Sequence, residues 1–147
     1  MLFATSHLLF VSCLLTGSKR LHCEVSSSNS DARAPETQVT IVFEGGCGET
    51  TSDWVKVQRQ LASQNTNAEG VERGTGTIGV RCVSYDRAGL GFSDAGPQSP
   101  TASSMVADLV QLLEKLQVKG SVLLVAHGAG ALTARAMTAA CSNPNSP

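Results

Sequence analysis

The run Val122-Leu123-Leu124-Val125 stops at Ala126-His127-Gly128-Ala129-Gly130, and apolar residues resume at helical spacing with Leu132, Ala136 and Met137. A short apolar run without alternation reads as a strand covered on both faces, and small residues at the switch permit a tight turn. A strand that passes so abruptly into a helix belongs to a layered α/β unit, because the helix has to return across the face of the sheet. Two further units of the same kind precede it.

The first is Val39-Thr40-Ile41-Val42-Phe43, followed by Glu44-Gly45-Gly46-Cys47-Gly48-Glu49 and a helix that Thr51, Ser52 or Asp53 caps. In that helix Trp54, Val57 and Leu61 share one face. The second follows a polar excursion from Gln64 to Gly79 and runs Val80-Arg81-Cys82-Val83-Ser84-Tyr85, then Asp86-Arg87-Ala88-Gly89-Leu90-Gly91-Phe92-Ser93-Asp94. Its helix carries Met105, Leu109, Leu112, Leu113 and Leu116, with Thr101 or Ser103 as cap and Gly120 as stop. The third helix covers Ala129 to Ala140. Parallel strands joined by helices require right-handed crossovers. The expected fold is therefore α/β, an open, mostly parallel sheet with crossover helices, about three strands and three helices. Ligands of such sheets sit outside the carboxyl ends of the strands, where all three glycine-bearing loops fall.

Residues 39–140 form the expected domain, preceded by a targeting segment (1–18) and a polar linker (19–38) and followed by a disordered tail (141–147). The run Leu8 to Leu15 is shorter than the roughly 20 residues of a membrane span and suits the apolar centre of a signal peptide. Secretion is the expected destination; Lys19 and Arg20 behind the run keep an organellar presequence or an uncleaved anchor as alternatives. The Ser-rich stretch from Ser26 to Asp31 and Ala34-Pro35 read as linker. Cys23, Cys47, Cys82 and Cys141 lie outside the apolar run and show no C-x-x-C spacing, and Cys82 reads as a core thiol. The net charge of −1 comes without a basic block, which excludes a nucleic-acid partner.

With these residues placed, the region from Val39 to Ala140 resembles the N-terminal half of an α/β-hydrolase of the single-domain type. Three ordered features carry the likeness: the Gly45-Gly46-Cys47-Gly48 loop ahead of Trp54; the D-R-x-G-x-G-x-S loop of Asp86, Arg87, Gly89, Gly91 and Ser93; and Ala126-x-Gly128-x-Gly130 in place of the nucleophile elbow G-x-S-x-G. The resemblance implies oxyanion-type backbone donors at Ala129 and Cys47, and a bracing role for the D-R-A-G-L-G-F-S loop. It also implies a nucleophile at position 128, followed along the chain by an acid and a His.

The residues depart from that pattern where chemistry is made. Gly128 has no side chain, and residues 129–147 contain no Asp, Glu or His. A serine hydrolase needs an oxygen nucleophile, a base and a carboxylate to orient it. The expectation is thus a truncated or catalytically silent member of a family that hydrolyses ester, amide or related bonds. His127 is expected beneath the turn without a placed partner, and Cys47 is expected to be an idle thiol. A non-catalytic reading keeps Gly45, Gly46, Gly48, Gly89, Gly91 and Gly130 as a cradle for a small acyl or anionic ligand. A dinucleotide reading of Gly128-x-Gly130-x-x-Thr133 is weaker, because Thr133 stands where a small residue is needed. No metal or cofactor is implied. A sheet stopped after the third unit leaves apolar strand edge and helix face uncovered, which invites aggregation or a covering protein partner.

Overall fold

The computed structural model describes residues 7–14, 19–27, 37–64, 78–96 and 99–142. Its elements in chain order are β1 (His7–Leu14), β2 (Arg20–Ser27), β3 (Thr37–Glu44), α1 (Thr51–Gln64), β4 (Ile78–Tyr85), α2 (Ala102–Lys115), β5 (Ser121–Ala126) and α3 (Gly130–Ser142). The sheet runs β1-β2-β4-β3-β5. β3 pairs in parallel with both β4 and β5, which forms the expected parallel sheet, and β1 and β2 join it antiparallel at the far side of β4.

The register explains the layering. Val42 lies between Val83 and Leu124 on neighbouring strands, and Val83 pairs in turn with Val25. Successive side chains point to opposite faces. On this face Val42, Val83, Val25, Leu21 and Tyr85 meet Leu109, Leu112 and Leu113 of α2 in the main core. Thr101 caps α2 in a reciprocal capping box with Ser104, and Gly120 follows with φ +81°. α3 joins the same side, its buried Thr133 donating to Met105 Sδ at 3.7 Å. On the opposite face Phe43 stacks on Trp54 of α1, ring centroids 4.9 Å apart.

The chain differs from the sequence reading at several places. The linker expected over 19–38 contains β2, whose Leu21, Cys23 and Val25 are core residues. The alternation is a strand period, but Glu24 and Ser26 between them are buried as well, under α1, so composition alone disguises the strand. Residues 28–36 lie outside the described residues. Within the segment 1–18, His7–Leu14 forms β1 along β2. Among the described residues the sheet therefore has five strands, the three expected ones and two more. α1 buries Thr51 and Gln58 and leaves Val57 39 % exposed, so its buried stripe is centred on the Thr51–Trp54–Gln58 side and Val57 falls at its margin. Residues 141 and 142, assigned to the tail, end α3; residues 143–147 lie outside the described residues.

β5 was expected to be covered on both faces. Among the described residues it is an edge strand, with Val122 and Leu123 exposed. Among the described residues no helix is long and apolar enough to cross a membrane.

Candidate functional site

The three loops that leave the parallel strands meet at one end of the sheet. At the elbow, His127 N–H donates to the carbonyl of Glu44 at the end of β3 (3.0 Å), and Gly130, Ala131 and Leu132 donate back to His127, Gly128 and Ala129 as α3 begins. Gly128 sits at φ +53°, the left-handed region that glycine adopts most easily. Space is not what excludes a side chain there, since an added Cβ meets only Gly46 Cα, at 3.5 Å. Gly130 is the reverse: a Cβ there falls 2.4 Å from Glu44 O and 2.6 Å from Gly45 O. Close approach of α3 to the end of β3 therefore depends on Gly130.

The D-R-A-G-L-G-F-S loop braces its surroundings as expected, and over a wider area. Buried Asp86 accepts from Thr51 N in the first turn of α1 (2.7 Å) and from Phe92 N (2.9 Å). Gly91, at φ +51°, is needed because a Cβ there lies 2.1 Å from Asp86 Oδ2. Arg87 donates to Gly46 O, which ties this loop to the first one. Ser93 Oγ donates to Asp86 O (2.6 Å) and accepts from His22 N (2.9 Å), while Asp94 N donates to Arg20 O and the Asp94 carboxylate accepts from Arg20 N, so β2 is held by the same loop.

In the first loop Gly48 takes φ +76° and Glu49 folds back over the turn. One oxygen of Glu49 accepts from Gly46 N at 2.5 Å, and the other lies 2.5 Å from His127 Nδ1. Those two contacts, the Gly46 bond first, hold the Glu49 carboxyl below its ordinary range. An ionised carboxylate only accepts, so the bonded proton lies on Nδ1. This corrects the sequence reading of His127. Its side chain is 68 % exposed above the turn and has a partner, not buried beneath it without one. Glu49 was missed as a site residue, because a contact between positions 78 apart leaves no local signal.

Beneath the loops, Glu44 is fully buried and accepts from Tyr85 Oη. Burial raises the Glu44 carboxyl, while Tyr85 and Arg87 pull it the other way. Burial and the Glu44 charge push the Tyr85 phenol well up. Beside them is a cavity of about 240 Å³ whose walls include Cys47, Tyr85, Leu90, Met105, Ala129 and Leu132. The structure therefore brings Cys47 and Ala129 to one cavity. Gly45, Gly46 and Gly130 meet in the elbow contact, while Gly89 and Gly91 shape the bracing loop. Among the described residues, no group of three or more His, Cys, Asp or Glu is placed to hold a metal ion.

The α/β-hydrolase family profile matches residues 39–145. Similar curated proteins include an AB hydrolase superfamily protein of Gibberella zeae, 34 % identical over 76 % of this chain and 30 % of its own length. Another is the uncharacterized protein YqjL of Bacillus subtilis, 31 % identical over 68 % of this chain and 34 % of its own. This chain thus spans about a third of each. Similar solved structures include an epoxide hydrolase of Vigna radiata (TM-score 0.64, 23 % identity, 95 % of this chain and 36 % of that one). An enol-lactonase of Burkholderia xenovorans gives a TM-score of 0.65 at 19 % identity, over 88 % and 41 %. The matched span holds all three site loops, and the chain belongs to the α/β-hydrolase family.

Proposed function

We propose that these 147 residues form a catalytically silent α/β-hydrolase unit, one that keeps the shape of the elbow without acyl transfer to it. The observation that carries this is Gly128 at the apex with φ +53°. Acyl transfer needs a nucleophile whose proton an adjacent base removes, and a glycine offers none. His127 has the orientation of a held base, but its ring belongs to the residue before the apex. No Asp, Glu or His follows in residues 129–147.

A second role is favoured by the cavity. Its walls are mainly apolar, and Cys47 and Ala129, the two expected backbone donors, both border it. Such a site suits a small acyl or anionic ligand held without turnover. The test is hydrolysis of short-chain nitrophenyl esters alongside thermal shift with short-chain carboxylates. The expected result is a melt raised by ligand at background hydrolysis; the unaltered protein hydrolysing esters saturably would overturn the silent assignment. Gly128→Ser has room for a Cβ on a left-handed backbone, and these 147 residues with that change are expected to remain inactive, because residues 129–147 supply no acid and no His.

A further inference from the structure

Glu49 joins two segments that the sequence does not link. Its carboxylate receives Gly46 N–H from the first loop on one oxygen and His127 Nδ1–H from the elbow on the other, each at 2.5 Å. Two donors that converge on the two oxygens of one carboxylate make a receptor for that group. The arrangement is open to solvent, with the Glu49 side chain 24 % and the His127 side chain 68 % exposed. Nothing about the fold requires this contact. Gly46 O is held independently by Arg87, and the elbow by the bond from His127 N to Glu44 O.

We infer that Gly46 N–H and His127 Nδ1–H form a carboxylate-binding site whose present occupant is the tethered carboxylate of Glu49, so that a free carboxylate ligand enters by displacing it. The inference deepens the ligand-holding role proposed above and rests on it. The ligand class is a short-chain monocarboxylate. Its head takes the place of Glu49, on the same loop whose next residue, Cys47, borders the cavity. The charged groups around the head are few. Asp53 of α1 acts against the charge of Glu49, and Arg87 lies on the far side of Gly46, on its carbonyl. A free carboxylate thus meets Gly46 N–H and His127 Nδ1 as its hydrogen-bonding partners and Asp53 as its repulsion.

A tethered occupant lowers apparent affinity in proportion to the fraction of time it leaves the site open. The probe is sodium formate, the smallest carboxylate, which needs no cavity. It is titrated at ionic strength fixed with sodium chloride, while the imidazole nitrogens of His127 are followed by NMR. In Glu49→Ala the His127 shift is expected to saturate with an apparent Kd about tenfold below that of the unaltered protein. Glu49→Gln keeps the side-chain volume and one acceptor for Gly46 N–H, and is expected to move in the same direction by less. Equal affinities in the unaltered protein and both variants, or no saturable shift in either variant, overturn the inference. The ligand-holding role is separable. Thermal stabilisation of the unaltered protein by butyrate, with no formate response in the variants, keeps that role and removes Glu49 as occupant; absence of both removes both.

Discussion

Replacing Gly130 by Ala tests whether α3 and the end of β3 are in contact as closely as described. The added Cβ would stand 2.4 Å from Glu44 O, 2.6 Å from Gly45 O and 2.8 Å from Glu44 C. All three are backbone atoms at the end of β3 and the first residue beyond it, which cannot swing aside as a side chain would. Restoring ordinary contact requires α3 to withdraw by about 1 Å, and overpacking of this kind costs about 1–3 kcal/mol. Withdrawal also stretches the 3.0 Å bond from His127 N to Glu44 O, which adds about 1 kcal/mol. The better helix propensity of Ala returns at most about 1 kcal/mol. With that return in full the expected net loss is about 1–3 kcal/mol, read as a lowered midpoint in urea with an unchanged slope. Gly128→Ala is the internal control. It has steric room and pays only for its left-handed backbone, about 1 kcal/mol. A Gly130→Ala protein as stable as the original, or more stable than Gly128→Ala, would refute the elbow geometry.

Other consequences are open to measurement. Gly91→Ala drives a Cβ into the Asp86 carboxylate, which releases Thr51 N and Phe92 N, and should lower the urea midpoint more than Gly89→Ala, whose Cβ meets only Gly96 N at 3.6 Å. Because burial raises the Glu44 carboxyl above its ordinary 4.5, the folded state binds its proton more tightly than the unfolded chain. That contribution to stability is complete below 4.5 and declines as pH rises through the raised folded value. Glu44→Gln should thus gain stability relative to the original as pH increases from 4.5 towards neutrality; a constant difference across urea melts in that window would contradict it. Leu123→Lys places a charge on the exposed edge strand β5 and should reduce self-association seen by light scattering, with the melt nearly unchanged.

The parallel part of the sheet was legible because its strands are continuous apolar runs followed by glycine turns, and α2 because its leucines recur at helical spacing beside a Thr cap. β2 was hidden by its own burial on both faces. Glu24, which pairs with Ser84, and Ser26 are buried, so a strand covered on both faces carries a linker-like composition. The edge position of β5 was not a property of its own residues. Val122 and Leu123 have the composition of a covered strand, and only the strand order shows that nothing in the described residues pairs with β5 beyond β3. In the site, the bracing role of the D-R-A-G-L-G-F-S loop came from the family resemblance, while its glycines by themselves indicated only a tight turn. The Glu49–His127 contact was invisible, since it depends on how two loops fold over one sheet edge rather than on either motif.

The central claim is that the elbow retains its form and has lost its nucleophile. It is tested most directly by steady-state hydrolysis of nitrophenyl butyrate by the unaltered protein, purified until its rate per mole is constant. The account predicts a rate equal to that of the same protein after heat denaturation, with no saturation in substrate. A saturable rate that is abolished by denaturation and survives further purification would contradict it.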